Sequence, residues 1–245
     1  MNLLLLEPAE LVDGEVVLRD RRAEHLRVVL RAGAGDRLRA GVIGGPVGDA
    51  EVLAIDGDSV RIRFAARGAP PPPLPVELIL AMPRPKVLSR VLETVAAIGV
   101  ARVDLVNAWR VDKSYLGSAR LDEARIAADL RRGAEQGETT HLPEVAVHPR
   151  LMRFLDDRHP PAAGGGAVVR LLAHARGGVD VEAALPPGTT APVVIAIGPE
   201  GGWIEREVET FAARGFAVVR LGAPILRVEA AVTAALAQIA LLRRL

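Results

Sequence analysis

The sequence predicts an α/β protein in two parts, a small β-barrel followed by a parallel sheet flanked by helices. Three observations predict it. A proline run, Gly68-Ala69-Pro70-Pro71-Pro72-Pro73-Leu74-Pro75, divides the 245 residues, because consecutive prolines neither pair in a sheet nor continue a helix. Before the run, short segments with two-residue alternation are separated by turns. After it, nearly continuous apolar runs alternate with helical patterns, as expected where strands are buried on both faces. The expected domains are therefore 1–72 and 73–245.

The first strand is expected at the apolar start, Met1 to Leu6, which Glu7 and Pro8 interrupt too early for a signal peptide. Barrel strands follow at Glu15–Leu18, Asp36–Val42, Ala50–Ile55 and Ser59–Phe64, with one helix around Ala23–Leu30. Beyond the prolines, strands are expected at Val76–Ala81, Val103–Val106, Val168–Ala173, Val193–Ile197 and Ala217–Leu221. Helices are expected at Pro85–Ile98, ended by Gly99, then at Leu121–Gly133 and at Glu205–Arg214, ended by Gly215. Ala162 to Gly166 reads as a loop, and the C-terminal segment as a long apolar helix suited to a subunit interface.

Composition narrows the function. Half of the residues are hydrophobic, enough for a sizeable core, and the net charge is only +1, so any nucleic-acid contact must come from local patches. Arg227, Glu229 and Gln238 interrupt the most apolar stretch, so no membrane span is expected and the default location is cytoplasmic. The absence of cysteine removes disulfides and thiolate ligands, and no metal site is expected.

Two late loops carry the chemistry. Ile197-Gly198-Pro199-Glu200-Gly201-Gly202 follows an apolar strand and opens a helix, where open α/β sheets place ligands and where glycines let a ligand approach backbone amides. Read alone, this loop is equally a tight turn. No G-x-G-x-x-G or G-x-x-x-x-G-K-[ST] sequence stands at the first strand-to-helix junction, which argues against dinucleotides and ATP. The second loop, Leu221-Gly222-Ala223-Pro224-Ile225-Leu226-Arg227-Val228-Glu229, ends the next strand and puts two charges at the start of an apolar helix. Such charges need partners or a ligand.

Taken together, these loops resemble the RsmE family of 16S ribosomal RNA uridine-N3 methyltransferases, of the SPOUT superfamily. His25-Leu26-Arg27-Val28-Val29-Leu30-Arg31 with Gly35-Asp36, Ile98-Gly99-Val100 and Ala134-Glu135-Gln136 resemble further landmarks. The resemblance implies a knotted SPOUT-type parallel-sheet domain preceded by a PUA-like RNA-binding barrel, S-adenosyl-L-methionine as cofactor, a homodimer, and 16S rRNA of the small ribosomal subunit as substrate. It implies cofactor contacts from Leu172, His174, Ile197, Gly198, Pro199, Glu200, Gly201, Gly202, Leu221, Gly222, Ile225 and Leu226. Val228, Ala230 and Ala175 depart from the family pattern of two threonines and a proline.

Uridine N3 must lose its proton before attack, and no Ser-His-Asp constellation stands out, so orientation and a cation carry the expected catalysis. Arg227 is the candidate cation, with Glu229 beside it. RNA contacts are expected from Arg22, His25, Arg27 and Arg31, within a stretch of seven arginines from Arg19 to Arg39, and from Arg110 and Lys113. Trp109 and Trp203 are each either base-stacking or core residues. The alternatives left open are a SPOUT enzyme acting on another RNA and a catalytically silent RNA-binding protein.

Overall fold

The computed structural model describes residues 2–70, 72–161 and 168–244. The loop expected at 162–166 lies outside the described residues, as does Pro71 of the proline run. Before the run, strands β1 (Leu4–Leu6), β2 (Glu15–Leu18), β3 (Arg37–Val42), β4 (Val47–Asp56) and β5 (Ser59–Gly68) form a sheet in the order β1-β3-β4-β5-β2. It is a curled half-barrel, with β1 parallel to β3 and the other pairings antiparallel. The alternation in β5 turns Val60, Ile62 and Phe64 onto the inner face, where they meet Leu4, Leu6, Val16, Leu18 and Leu26.

The expected helix at Ala23–Leu30 is shorter and differently wound. Helix α1 spans Arg21–Glu24, capped by the Asp20 carboxylate on Arg22 N, and passes into a π-helical turn at His25–Val29. The widened turn keeps Leu26 buried and leaves Val28, Val29 and Leu30 exposed.

After the prolines come β6 (Leu74–Ala81), α2 (Pro85–Ile98), β7 (Val100–Val106), α3 (Glu123–Gly137), β8 (Glu144–His148) and α4 (Leu151–Arg158). The chain continues through β9 (Val169–Ala173), β10 (Val179–Asp180), α5 (Val181–Ala184), β11 (Val193–Ile197), α6 (Glu205–Ala212), β12 (Ala217–Arg220) and α7 (Val228–Arg244). The seven strands form one parallel sheet in the order β10-β12-β9-β11-β6-β7-β8. β11 is central and all five of its residues are buried, which accounts for its unbroken apolar run. Helix α2 ends where Gly99 takes φ +82°, a left-handed cap that a glycine accepts without Cβ crowding.

The chain builds β6, β7 and β8 outward in one direction. It then returns to lay β9 on the far side, with β11 between β9 and β6. At this reversal the strand ends are level: Ile197 pairs with Leu80 and Ala173, and Ala173 with Val219. The loops leaving β9, β11 and β12 therefore emerge side by side, as ligand-binding loops do at a switch in strand order.

The two sheets meet at the C-terminal end of α3. Leu3 and Leu5 pack on Ala134, and the backbone amides of Asn2 and Leu3 donate to the Glu135 carbonyl at 3.2 and 3.0 Å. Arg21 makes a two-point ion pair with the buried Glu135 carboxylate at 2.6 and 3.0 Å. Arg39 with Glu138, Arg131 with Glu7, and Thr140 Oγ1 with the Gly45 carbonyl complete the joint. Among the described residues, no helix is long and apolar enough to cross a membrane.

Candidate active site

The three loops enclose an open pocket of about 1010 Å³. The β11–α6 loop supplies Ile197, Gly198, Pro199, Glu200, Gly201 and Gly202. The loop after β12 supplies Leu221, Gly222, Ile225 and Leu226, with Arg227 and Glu229 at the start of α7; the β9 loop adds His174. Eleven of the twelve residues expected to touch a cofactor thus line one cavity. Leu172 does not: it is wholly buried within β9, and the wall facing the pocket begins one residue later, at Ala173.

Each wall is held in place. Gly202 takes φ +72° with open space where a Cβ would stand, and its amide donates to the Pro199 carbonyl at 2.8 Å, closing the loop into a turn. At Gly198 a Cβ would come within 3.1 Å of the Trp203 indole, so the ring lies flat against bare backbone. Trp203 is 3% exposed and packs on Phe211 with ring centroids 5.1 Å apart. Its Nε1 is buried without a partner. In the second loop, Gln238 of α7 donates to the Leu221 carbonyl at 3.0 Å, which explains a polar residue in the apolar helix. Arg227 ends that loop as the helix cap, its carbonyl accepting from Ala231 N at 2.7 Å.

Two further segments, missed in the sequence, complete the rim. Arg84 and Val87 at the start of α2 face the pocket, and the Glu200 carboxylate accepts from Arg84 N at 3.2 Å, placing negative charge at a helix N-terminus. Glu200 therefore braces one pocket wall against another. Arg110, expected only as an RNA contact, donates from Nη1 to the Gly201 carbonyl at 2.6 Å and lines the same pocket. A helix start carrying an arginine and no glycine signature gave no sequence signal for Arg84.

The expected RNA-contact residues separate. Arg22 is corrected: it is 8% exposed, with its guanidinium committed to Glu10, Asp20 and the Leu5 carbonyl. Burial alone would ease loss of its proton, but the two carboxylates outweigh it and hold the proton more tightly than usual. Arg22 is thus a core ion pair with no donor left for phosphate. Arg27 is half-buried and donates to the Gly57 carbonyl, fastening the π-helical turn to the β4–β5 hairpin. His25 is half-buried with Nε2 unpartnered, while Arg31 and Lys113 are exposed. The tryptophans divide too: Trp203 is buried in the pocket wall, whereas Trp109 is 79% exposed.

A parallel α/β sheet with a glycine-walled pocket at its reversal point defines the class, and residues 70–240 match the family described as RNA methyltransferase domain. Over 241 residues the chain is 33% identical to the ribosomal RNA small subunit methyltransferase E of Treponema pallidum, covering 97% of this chain and 90% of that protein. The chain belongs to this ribosomal RNA small subunit methyltransferase E family, within the RNA methyltransferases. A probable rRNA methyltransferase from Porphyromonas gingivalis superposes with a TM-score of 0.78 at 25% identity, covering 100% of this chain and 99% of that one. The Neisseria gonorrhoeae methyltransferase E, whose structure holds S-adenosyl methionine, superposes equally well at 23% identity, over 98% and 96% of the two chains.

Proposed function

We propose that the protein methylates N3 of a uridine in 16S rRNA of the small ribosomal subunit, using S-adenosyl-L-methionine. The convergence of the loops after β9, β11 and β12 on one pocket carries this reading. The pocket suits an adenosine-like group: the backbone of the Gly198–Gly202 loop on one side and apolar walls from Val87, Leu221, Ile225 and Leu226. Backbone amides and apolar surface recognise a base and ribose without any phosphate cradle. The family relationship supports the cofactor and the substrate, and with them the knot, the homodimer and a cytoplasmic location.

Bound there, the cofactor supplies an activated methyl group on a sulfonium. The residues of this chain act on the acceptor. Arg227, exposed on the pocket rim, offsets the negative charge of the deprotonated uracil ring, a charge that water would otherwise solvate. Glu229, two residues on and half-buried, receives the N3 proton. The deprotonated N3 would present its lone pair to the electrophilic methyl group that the cofactor supplies, the C–S bonding pair remaining on sulfur, so the negative ring and the positive sulfonium would both become neutral. His25, Arg27, Arg31, Arg110 and Lys113 hold the RNA.

The test is methylation of small-subunit rRNA in vitro, read by nucleoside mass spectrometry. N3-methyluridine is expected, and its formation should fall about 100-fold or more in Arg227→Ala, with S-adenosylmethionine binding retained by calorimetry. A different methylated nucleoside would redirect the target. Absence of cofactor binding by the folded protein would reduce it to an RNA-binding role.

A further inference from the structure

Among the described residues, Trp109 is the most exposed of the large hydrophobic side chains, at 79%, yet its backbone amide is held by a buried partner. Its amide donates at 2.8 Å to Oε1 of Glu207, a carboxylate only 3% exposed. The other oxygen of Glu207 accepts from Ile204 N at 3.0 Å at the start of α6. The residues on either side close a turn, Val111 N to the Ala108 carbonyl at 3.1 Å, and both of these corner residues are buried. The turn thus sinks its ends and presents Trp109 and Arg110 at its tip. Arg110 reaches back to the Gly201 carbonyl and lies in the pocket wall, so the backbone of Trp109, one residue before it, is tied next to the pocket, with the indole outside the lining and open to solvent.

An indole held out in water on a rigid mount costs solvation free energy, and nothing in the fold of this chain requires it. A target base entering the pocket brings its chain neighbours to the mouth, where their π-faces are free to stack. We propose that Trp109 is the stacking platform for an unpaired RNA base next to the methylated nucleotide. Stacking recognises any base, so Trp109 contributes grip and orientation without reading sequence. Arg110, its neighbour, is placed to hold the adjoining phosphate while its stem packs against Gly201.

This inference rests on the methyltransferase reading, and its test separates the two. Wild type, Trp109→Ala and Trp109→Phe are compared in S-adenosylmethionine binding, in binding of a single-stranded RNA carrying the target without cofactor, and in methyl transfer. Trp109→Ala is expected to weaken RNA binding and raise KM for RNA about tenfold, leaving cofactor affinity and kcat near wild type, while Trp109→Phe restores most of the loss. RNA should quench a solvent-exposed tryptophan emission in wild type that is missing in Trp109→Phe. Unchanged RNA affinity in Trp109→Ala overturns the proposal, even where methylation itself proceeds. So does a Trp109 emission that shifts with protein concentration in the absence of RNA, since that assigns the indole to a contact between subunits. Failure of all variants to bind cofactor would instead refute the enzymatic reading and leave the RNA titration as an independent result.

Discussion

Replacing Gly133 with alanine should lower stability sharply, although glycine is a poor helix former. Gly133 lies inside α3 where the helix crosses α2, and a Cβ built there stands 2.1 Å from the Glu93 carbonyl oxygen and 2.7 Å from its carbon. Gly137, one turn on, meets Ala97 in the same way at 2.2 Å. The obstacle in both cases is backbone, so no rotamer change relieves it. Reaching even a 3.0 Å separation needs the helices to part by about 0.9 Å. Helix α2 buries Leu88, Val91, Leu92, Val95 and Ala96 against the sheet, so parting the pair loosens that packing. The intrinsic helix gain of about 1 kcal/mol is smaller than the cost of overpacking against a fixed backbone, about 1–3 kcal/mol and occasionally more. Because both glycines share the seam and the clash is deep, the cost falls at the top of that range, and a net loss of about 2 kcal/mol is expected, or roughly 4–8 °C in Tm for a chain of this size. Scanning calorimetry reads it, with Gly117→Ala, which meets no atom within 4 Å, as the neutral control. A Gly133→Ala protein melting at or above the wild-type temperature would refute the close-packed seam.

Glu207→Ala removes the acceptor for two backbone amides, Trp109 N and Ile204 N; a loss of about 2–3 kcal/mol is expected, with Glu207→Gln losing less, and equal melting of all three proteins would contradict the bracing role. Stability should also depend on Glu77, whose carboxyl is held down to about 2: burial opposes ionisation but is outweighed by contact with His159 and Asp104 and by the charges of His159 and Arg158. Because the folded value lies below the usual 4.5, this contribution is present above about pH 4.5 and is lost as pH falls towards 2. Each tenfold change in proton affinity is worth about 1.36 kcal/mol; Glu77 lies 3.3 Å from His159 Nε2 in poor hydrogen-bond alignment and keeps some solvent contact, which reduces the expected effect to about 1–2 kcal/mol. Wild type and Glu77→Gln should therefore converge in Tm between pH 5 and pH 2, and parallel curves would count against the assignment.

The features legible in the sequence were those with a strong local cause. β11 is central and fully buried, so its residues are apolar without interruption and its limits, Val193–Ile197, are those expected. Pro85 and Gly99 mark the two ends of α2 through backbone geometry alone. The pocket followed from glycine loops after adjacent strands. Illegible features owed their form to distant partners. β8 lies at the sheet edge with mixed exposure, so Glu144–His148 lacks the unbroken apolar run of a central strand, and β10 has only two residues. Arg22 looked like one arginine among seven because, besides the nearby Asp20, its partners Glu10 and the Leu5 carbonyl lie 12 and 17 residues back along the chain. Leu172 missed the pocket by one residue, since successive strand positions face opposite sides of a sheet.

The landmark Ala134-Glu135-Gln136 shows why such a segment carries weight without touching the pocket. Ala134 and Glu135 receive Leu3, Leu5, Arg21 and the first backbone amides of the half-barrel. The same turn of helix carries Gly133 and Gly137, which seat α3 directly on the backbone of α2. The other end of α2 supplies Arg84 and Val87 to the pocket rim, tied there to Glu200. A continuous path of backbone-to-backbone packing and buried ion pairing thus joins the half-barrel to the pocket. Two helices in such close contact have little freedom to slide, because backbone interfaces repack in steps rather than deform smoothly. The span from the exposed Arg31 to the pocket is therefore set by α2 and α3.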